Sequence, residues 1–393
     1  MKFLKKAFKW VSTLAIVGLV GFLVFAPGYV ERSRNQVAEH APYLISDRAQ
    51  ALHDSLIIGD WHADSLLWNR DLSERGVYGQ VDIPRLIEGN VAVQMFTAVT
   101  KSPAGQNYDG NDAEAFDNIT PLVAAQLWPM RTWSNLTERA LYQAKKLADV
   151  QMATPESLKI IRTIDDLEEV LQRRANGEMI VGGMLGIEGA HALEGEMANL
   201  LRLESAGYRL VALQHFFDNA LGGSLHGRSN AGLTGFGREV VAEAERRGLI
   251  LDVAHSSEQV VEDVLDMVNM PIVLSHSGMR SVCDVKRNIP VDLMQRIAAT
   301  GGVIGIGYWQ EVTCDDSPAG IAQNILAATE ALGGDAVSLG SDFDGSVGTS
   351  FDTSELAAIT QELLNIGMTD AQIRKVMGEN MLRVVRARLE TRP

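Results

Sequence analysis

This chain is poor in cysteine, and that scarcity excludes zinc fingers and dithiol redox motifs. Its 393 residues include two cysteines, Cys283 and Cys314. Their spacing matches neither Cys-x-x-Cys nor a zinc-finger pattern. They follow adjacent predicted strands, so their loops could meet. We therefore expect either two ordinary thiols or, in an oxidising compartment, a disulfide.

The chain also lacks an excess of basic residues. Lysine and arginine total 35 against 50 aspartate and glutamate residues, which gives a formal net charge of −15. Nucleic-acid surfaces need clustered lysine and arginine, because every phosphate is negative. We therefore predict that nucleic acid is not a partner. Acidic balance by itself mostly favours solubility and identifies no partner.

Internal repeats, low-complexity segments and a proline- or serine-rich linker are absent as well. The hydrophobic share of 46% and the charged share of 22% are ordinary for a globular protein with a sizeable core. We therefore predict one folded domain over residues 53–393, preceded by a juxtamembrane linker and first helix over residues 31–52.

One long apolar run is present, at the N-terminus. Its apolar part, Val11–Ala26, exceeds the roughly 7–15 residues of a signal-peptide core and falls just short of a ~20-residue span. Lysines precede it, and basic residues stay in the cytoplasm. We predict that residues 1–30 form a membrane anchor or, alternatively, a signal peptide cleaved after Gly28. The rest would then lie outside the cytoplasm, at a bacterial inner membrane or in the periplasm.

Beyond residue 52, short apolar runs alternate with helix-length amphipathic stretches. Runs bounded by turn residues are typical of buried parallel strands, and their alternation with helices indicates βα units. Eight such units predict an α/β fold, a (β/α)8 barrel of TIM type. We also predict a loop over the barrel mouth at residues 112–133 and two closing helices, at Leu356–Leu364 and Asp370–Leu389. The eight runs are Leu56–Gly59, Val91–Phe96, Ile180–Ile187, Leu210–Leu213, Leu249–Val253, Ile272–Ser275, Val303–Ile306 and Val337–Gly340.

Metal-capable or acid/base residues follow five of these runs. The carboxyl ends of barrel strands meet at one face, where barrel enzymes keep their active sites. A regular series of such residues therefore predicts a metal-dependent active site. In order, the residues are His62 and Asp64, then Glu188, His255, His276 and Asp342.

The residue types suit a pair of metals. His62 and Asp64 are two residues apart, so in an extended strand their side chains project to the same side and can bind one metal ion. A half-buried Glu188 would be costly without a positive partner, and one carboxylate can bridge two metals. His255 and His276 end neighbouring strands, about 4.8 Å apart, and could share a second ion. Zinc accepts such ligands, and two close metals activate water for attack on a carbonyl.

Other polar residues near the strand ends suggest substrate contacts. His215 ends the fourth run and is either a ligand or a donor to a developing oxyanion. Asp342 is a natural proton shuttle, preferred to Asp344 because it leaves the strand first. Arg287 suits bidentate capture of a carboxylate. His191 is a candidate to orient the turn after Glu188.

Together these motifs resemble the membrane dipeptidase (renal dipeptidase) family of zinc peptidases. The likeness runs from about residue 50 to 390 in the same motif order, and Phe216-Phe217-Asp218-Asn219 fits a bacterial subgroup. The matching motifs are Asp60-Trp61-His62-Ala63-Asp64, Glu188-Gly189-Ala190-His191, Leu213-Gln214-His215, Gly232-Leu233-Thr234-Gly235-Phe236-Gly237, Leu251-Asp252-Val253-Ala254-His255-Ser256, Ser275-His276-Ser277, Arg287-Asn288, Gly340-Ser341-Asp342-Phe343-Asp344-Gly345 and Gly378-Glu379-Asn380-Met381-Leu382-Arg383-Val384.

The resemblance implies a (β/α)8 barrel with a binuclear site holding two zinc ions per chain. His62 and Asp64 would bind one zinc and His255 and His276 the other, with Glu188 bridging the two. Family members often form homodimers, so the resemblance is compatible with a homodimer, but no interface is evident in the sequence and the oligomeric state stays open.

The resemblance further implies a dipeptide substrate and a hydrolase acting on its peptide bond through a metal-activated hydroxide. His215 would contact the substrate and stabilise the tetrahedral intermediate. Arg287 would hold the C-terminal carboxylate of the substrate, and Asp342 would pass a proton to the leaving amine.

Two alternatives remain at this stage. A binuclear amidohydrolase acting on β-lactams or N-acyl amino acids would use the same metals. It would not need Arg287 if its substrate lacked a free carboxylate. An inactive barrel serving as a binding protein would be expected to lose ligands, whereas all five predicted ligands and Asp342 are present.

Overall fold

The fold is built around a closed barrel of parallel strands, in a computed structural model that describes residues 2–391. The strands are β1 (Ile58–Ala63), β2 (Val91–Val99), β3 (Leu158–Ile160), β4 (Val181–Glu188), β5 (Tyr208–Ala212), β6 (Ile250–Asp252), β7 (Val273–Ser277), β8 (Val303–Ile306) and β9 (Val337–Leu339). They are ordered β2-β1-β9-β8-β7-β6-β5-β4-β3, and a pairing between β2 and β4 closes eight of them into a ring. The predicted (β/α)8 barrel is confirmed.

Each of the eight predicted runs falls on a barrel strand, but some bounds differ. Strand β1 continues to Ala63, which pairs with Phe96 of β2. His62 therefore lies within its strand, and so does His276 in β7. Strand β3 was not predicted, because it has three residues and only extends the sheet along the start of β4.

Helices surround the barrel and pack apolar faces against it, such as Val240, Val241 and Ala244 of the helix Gly235–Arg246. Many begin at a serine, threonine, aspartate or asparagine whose side chain accepts a backbone N–H, as at Thr163 and Ser257. The helices are α1 (Lys2–Arg34), α2 (Asp47–Asp54), α3 (Ile83–Glu88), α4 (Ile119–Ala125), α5 (Leu136–Ala153), α6 (Ile164–Ala175), α7 (Met197–Ala206), α8 (Gly235–Arg246), α9 (Glu258–Leu265), α10 (Val291–Ala299), α11 (Gln310–Thr313), α12 (Pro318–Leu332), α13 (Ala357–Asn365), α14 (Asp370–Arg374) and α15 (Asn380–Glu390).

Two predicted elements are more complex than expected. The predicted loop at residues 112–133 contains α4 and a short 3-10 turn, Met130–Thr132. The predicted closing helix Asp370–Leu389 is interrupted between α14 and α15 by a π turn, Lys375–Glu379. Gly378 lies in that turn because the backbone approaches β1 closely. A β-carbon there would lie 1.8 Å from the carbonyl oxygen of Ile57.

The end of helix α1 packs on the barrel. The helix continues to Arg34, so the boundary predicted at residue 30 falls inside it. Val30 contacts an apolar cluster that includes Trp68 and Ile119, and the buried Glu31 accepts a hydrogen bond from Arg70 at 2.5 Å. Within the described residues, we find no helix with the length and apolar character that a membrane crossing requires. The predicted transmembrane helix is thus not confirmed.

Cys283 and Cys314 form a disulfide, with their α-carbons 5.4 Å apart. The bond joins the loop after β7, which carries Arg287, to the end of α11. Of the two alternatives predicted for these cysteines, the structure therefore has the disulfide. It connects two neighbouring loops at the carboxyl ends of the strands.

We expect the double substitution Cys283→Ser and Cys314→Ser to lower the free energy of unfolding by about 2–4 kcal/mol, because the bond restricts a loop in the unfolded chain. Thermal unfolding with and without a phosphine reductant measures this. The reductant should lower the Tm of the unaltered protein and leave that of the double variant unchanged. Equal sensitivity in both proteins would contradict the prediction.

Candidate metal centre and active site

The five predicted metal ligands meet at the carboxyl ends of the barrel strands. His62 and His276 project from β1 and β7, Glu188 ends β4, and Asp64 and His255 follow β1 and β6. All five side chains are buried, with exposures of 3% or less. Strand geometry therefore brings together residues that are as far as 214 positions apart in the sequence (62 and 276).

Glu188 is the centre of this cluster. Its Oε1 lies 3.4 Å from His62 Nε2, 3.2 Å from His255 Nε2 and 3.5 Å from His276 Nε2. Its Oε2 lies 3.5 Å from His215 Nε2. One carboxylate thus faces four imidazoles, with one oxygen turned towards three of them.

The donor set fits divalent metals. His62 Nε2 is buried without a hydrogen-bond partner among the described residues, and it lies 3.6 Å from Asp64 Oδ1. His255 Nε2 and His276 Nε2 are 3.0 Å apart. Ligand atoms lie within 4.8 Å of one another in three overlapping groups, namely His62–Asp64–Glu188, Glu188–His215–His255 and His62–His276–Asp342. Imidazole nitrogens and carboxylate oxygens in such groups are the ligands that zinc takes.

Three of the candidate ligands, His255, His276 and Glu188, have protonation states that suit metal binding. A fourth, His62, differs: burial would lower its pKa, but Glu188 and Asp64 outweigh burial and raise the pKa well above the ordinary value, so a metal would displace its proton. Burial lowers the pKa of His255 and His276 well below the ordinary value, with contributions from Arg287 and His62 respectively. These imidazoles are therefore neutral, the form that binds metals. Burial alone would raise the pKa of Glu188, but His215 and His62 hold it well below its usual range. Glu188 is therefore an ionised carboxylate.

Hydrogen bonds from neighbouring residues orient the ligands. The Thr97 hydroxyl donates to Asp64 Oδ1 at 2.6 Å, and the Ser275 hydroxyl lies 2.8 Å from His276 Nδ1. His215 Nδ1 lies 3.4 Å from the Lys101 carbonyl oxygen. Such partners fix ring orientation and tautomer around metal sites.

Two buried aspartates that the sequence argument missed hold the strand ends in place. Asp60 accepts hydrogen bonds from the backbone of His62 and Ser341, which joins the ends of β1 and β9. Asp252 accepts from the backbone of Ala254 and Ser275, which joins the ends of β6 and β7. Their signal was a carboxylate inside an apolar run, just ahead of a predicted ligand.

Some functional candidates stand on strained backbone. His255, Asp342 and Asp344 have φ values of 60°, 59° and 60°. Residues other than glycine rarely adopt this left-handed backbone conformation, and such strained residues are concentrated at active sites. Tight turns after β6 and β9 therefore direct His255 and Asp342 towards the cluster.

Asp342 and Asp344 differ in what they contact. Asp344 is fully buried and accepts hydrogen bonds from the Ser65 hydroxyl at 2.6 Å, the Gln80 backbone at 2.8 Å and Arg70. Asp342 Oδ1 lies 3.8 Å from His62 Nε2. Burial raises the pKa of Asp342 well above its usual range, and Glu188 and Asp64 add to this while His62 opposes it. Asp344 is therefore structural, and Asp342 faces the cluster.

Arg287 is buried beside the centre with donors to spare. Its Nη2 donates to the His276 carbonyl at 2.8 Å, and its guanidinium lies 5.7 Å from the Trp309 ring centroid. Its Nε and Nη1 have no hydrogen-bond partner within residues 2–391. A buried cation with two free N–H groups is well suited to a carboxylate ligand.

His191 packs against the turn after Glu188 rather than holding it by a hydrogen bond. A β-carbon on Gly189 would lie 2.3 Å from the His191 ring. Neither ring nitrogen has a hydrogen-bond partner in the described part of the chain, and burial, with His215, lowers the pKa of His191 to about 3. The neutral ring therefore contributes to packing.

A cavity of about 530 Å³ opens beside the cluster. Asp64 and His215 line its inner end, and α4 and the end of α1 form its outer walls. Aliphatic and aromatic side chains line much of it, which is typical of a pocket for a small organic substrate.

The sequence model described as Membrane dipeptidase (Peptidase family M19) matches residues 46–392, most of the chain. The chain belongs to the membrane dipeptidase family. It is therefore a metal-dependent dipeptidase, and the predicted family is confirmed. Among family relatives, an uncharacterized dipeptidase of Schizosaccharomyces pombe is 28% identical over 330 residues, covering 79% of this chain and 73% of the relative. The Aspergillus oryzae dipeptidase aclJ is 28% identical over 347 residues, covering 83% and 76%.

Solved structures show the same fold. The probable dipeptidase PvdM from Pseudomonas aeruginosa superposes with a TM-score of 0.71 at 19% identity, covering 88% of this chain and 98% of that chain. A metallopeptidase from Rhodobacter sphaeroides, bound to a phosphinate mimic of the dipeptide L-Ala-D-Ala, has a TM-score of 0.66 at 23% identity, covering 84% and 99%. At these identities the structural similarity supports the barrel fold of the chain, but it carries no information on the details of the pocket.

Proposed function

We propose that this chain is a binuclear zinc dipeptidase that hydrolyses free dipeptides. The observation that carries the proposal is Glu188, one buried carboxylate facing four imidazoles beside Asp64. His62 and Asp64 would hold one zinc and His255 and His276 the other, with Glu188 as the shared ligand. When bound, two zinc ions supply a water of lowered pKa and polarise the scissile carbonyl.

The protein's own residues then position the peptide and move protons. His215 would donate from Nε2, the ring nitrogen that faces Glu188 Oε2, to the oxygen that becomes negative as the carbonyl carbon turns tetrahedral. Its position opposite Glu188 Oε2 and at the inner end of the cavity supports this role. Asp342 takes the proton from the attacking water and delivers it to the leaving amine nitrogen. Its place beside His62 and its freedom from structural partners support this assignment.

Arg287 would bind the C-terminal carboxylate of the dipeptide through its two free N–H groups. We expect Arg287→Met to lower kcat/KM for free dipeptides by about 10²–10⁴-fold, because removing one partner of a buried ion pair costs about 3–5 kcal/mol. Steady-state hydrolysis of L-L and L-D dipeptides, each free and C-terminally amidated, measures the effect. The unaltered enzyme should prefer the free form.

The amidated peptides are the matched control. Arg287→Met should cleave them about as slowly as the unaltered enzyme does, and Arg287→Lys should restore part of the preference for the free form. Equal loss on free and amidated peptides would contradict a carboxylate clamp. No cleavage of any dipeptide with two metals bound would favour the alternative, a binuclear amidohydrolase acting on β-lactams or N-acyl amino acids.

The proposal extends to location and assembly. The lysine-flanked apolar segment before residue 30 supports export, with the catalytic domain outside the cytoplasm. The disulfide between Cys283 and Cys314 supports an oxidising compartment. Whether the segment anchors the enzyme to the membrane or is removed as a signal peptide, and whether the enzyme forms a homodimer, stay predictions.

A further inference from the structure

We propose that the end of helix α1 forms a wall of the pocket for the N-terminal residue of the substrate, where Arg34 binds an acidic group on that residue's side chain. The inference rests on the proposed dipeptidase function and adds a substrate preference to it. The dipeptides favoured would carry a long N-terminal side chain that ends in a carboxylate, as in glutamyl dipeptides.

The cavity wall supplies the first support. Ala26, Pro27, Val30 and Arg34 line the same 530 Å³ cavity as Asp64 and His215. One end of this cavity is thus the candidate metal centre, and the other is the last three turns of α1. A substrate seated on the metals would extend its side chain along that helix.

The direction of the substrate follows from Arg287. Arg287 lies on the far side of the cluster, against His276 and Trp309, and is not among the described residues that line the cavity. With the C-terminal carboxylate at Arg287 and the scissile carbonyl at the metals, the N-terminal residue faces the cavity. Its side chain is therefore the group that meets α1.

The chemistry of the lining indicates which side chain fits. Leu67, Val99 and Leu122 give the cavity an apolar middle, which suits methylene groups. The Asp344 carboxylate also borders the cavity, but Arg70 and Ser65 already engage it. The exposed Arg34 side chain has no ion-pair or hydrogen-bond partner among the side chains that the structure describes, so its guanidinium can pair with an acid. An apolar stem with a terminal carboxylate matches both features.

The end of α1 is held in place by buried contacts. Glu31 is 1% exposed and pairs with Arg70, which also pairs with Asp344 in the loop that carries Asp342. Val30 packs against the apolar cluster around Trp68. Because the anchoring residues are neighbours of Arg34, they hold its backbone beside the cavity that its side chain lines.

The test compares Glu-Ala, Gln-Ala and Leu-Ala as substrates of the full-length enzyme loaded with zinc. The unaltered enzyme should prefer Glu-Ala to the isosteric Gln-Ala. Arg34→Gln should reduce the ratio of kcat/KM for Glu-Ala over Gln-Ala about fivefold, and Arg34→Glu about tenfold or more, because a partly exposed ion pair contributes roughly 1 kcal/mol. Hydrolysis of Gln-Ala and Leu-Ala should change less than about twofold.

Arg32→Gln is the matched control. Arg32 is exposed on the same helix but borders a separate cavity and lies 5.1 Å from the Tyr78 ring centroid. This variant should keep the Glu-Ala over Gln-Ala ratio of the unaltered enzyme. Raising the ionic strength should shrink the ratio in the unaltered enzyme and leave it unchanged in Arg34→Gln.

Four outcomes would overturn the inference. An unchanged ratio in Arg34→Gln means that Arg34 binds no acidic group. An equal loss on all three dipeptides, with or without a lower Tm, means that Arg34 is structural. Full activity on Gln-Ala and Leu-Ala with no Glu-Ala preference leaves the dipeptidase proposal standing and removes only this one. A failure to cleave any dipeptide removes both.

Discussion

Replacing Glu188 with glutamine is expected to remove bound metal and activity together. An amide offers one neutral oxygen where the carboxylate offers two charged ones, and Glu188 faces all four imidazoles of the centre. Without the bridging charge, two divalent cations held close together repel each other. We expect kcat/KM for a free dipeptide to fall by about 10³-fold or more, since metal activation of water contributes several kcal/mol. Elemental analysis of metal per chain, with dipeptide hydrolysis on the same sample, measures both effects.

Glu196→Gln provides the matched control. Glu196 is an exposed glutamate on the same segment, just before α7, and makes no capping hydrogen bond. It should keep both metals and full turnover. Retention of two metals and normal turnover in Glu188→Gln would rule out the bridging role.

Replacing Asp342 with asparagine should separate catalysis from metal binding. Asp342 faces His62 at 3.8 Å but is not needed to complete either proposed ligand set. An asparagine keeps the shape of the side chain and cannot carry a proton between water and amine. General acid–base groups contribute about 10²–10⁴-fold, so we expect kcat to fall by that factor. Metal content should stay at the level of the unaltered enzyme.

The readouts for Asp342→Asn are kcat, KM, metal per chain and Tm. A loss confined to kcat, with metal content and Tm retained, is the expected pattern for a proton shuttle. A loss of one metal would instead make Asp342 a ligand, in line with its grouping with His62 and His276. Asp344→Asn should differ from either result for Asp342→Asn, because it should lower the Tm by removing a buried ion-pair partner of Arg70.

The barrel could be predicted because its strands are short apolar runs separated by turn residues. That signal is local, and it identified every barrel strand, from Ile58–Ala63 to Val337–Leu339. The exact strand ends could not be predicted, because pairing with a neighbour extends β1 to Ala63. The π turn around Gly378 also depends on a tertiary contact, the approach of the closing helices to Ile57.

The site could be predicted as a set of residues but not as an arrangement. Parallel strands deliver their carboxyl ends to one face, so residues following the strands were expected to meet there. Asp60 and Asp252 could be noticed just ahead of predicted ligands, but the strand ends that they join depend on which strands are neighbours. The type of Thr97 carries no signal at all. No sequence pattern singled out Arg34 either, since it lies in the segment, residues 31–52, that we predicted to be a linker and first helix.

The docked end of α1 also decides where the enzyme can be shortened. The family match begins at residue 46, and a truncation placed there would look safe from sequence. That truncation would delete Glu31, which is the ion-pair partner of the buried Arg70. It would also delete Val30 and Arg34, which line the cavity. A shortened form used to measure specificity should therefore begin ahead of Ala26. One that begins at residue 46 would report on a wider and less charged pocket than the enzyme has.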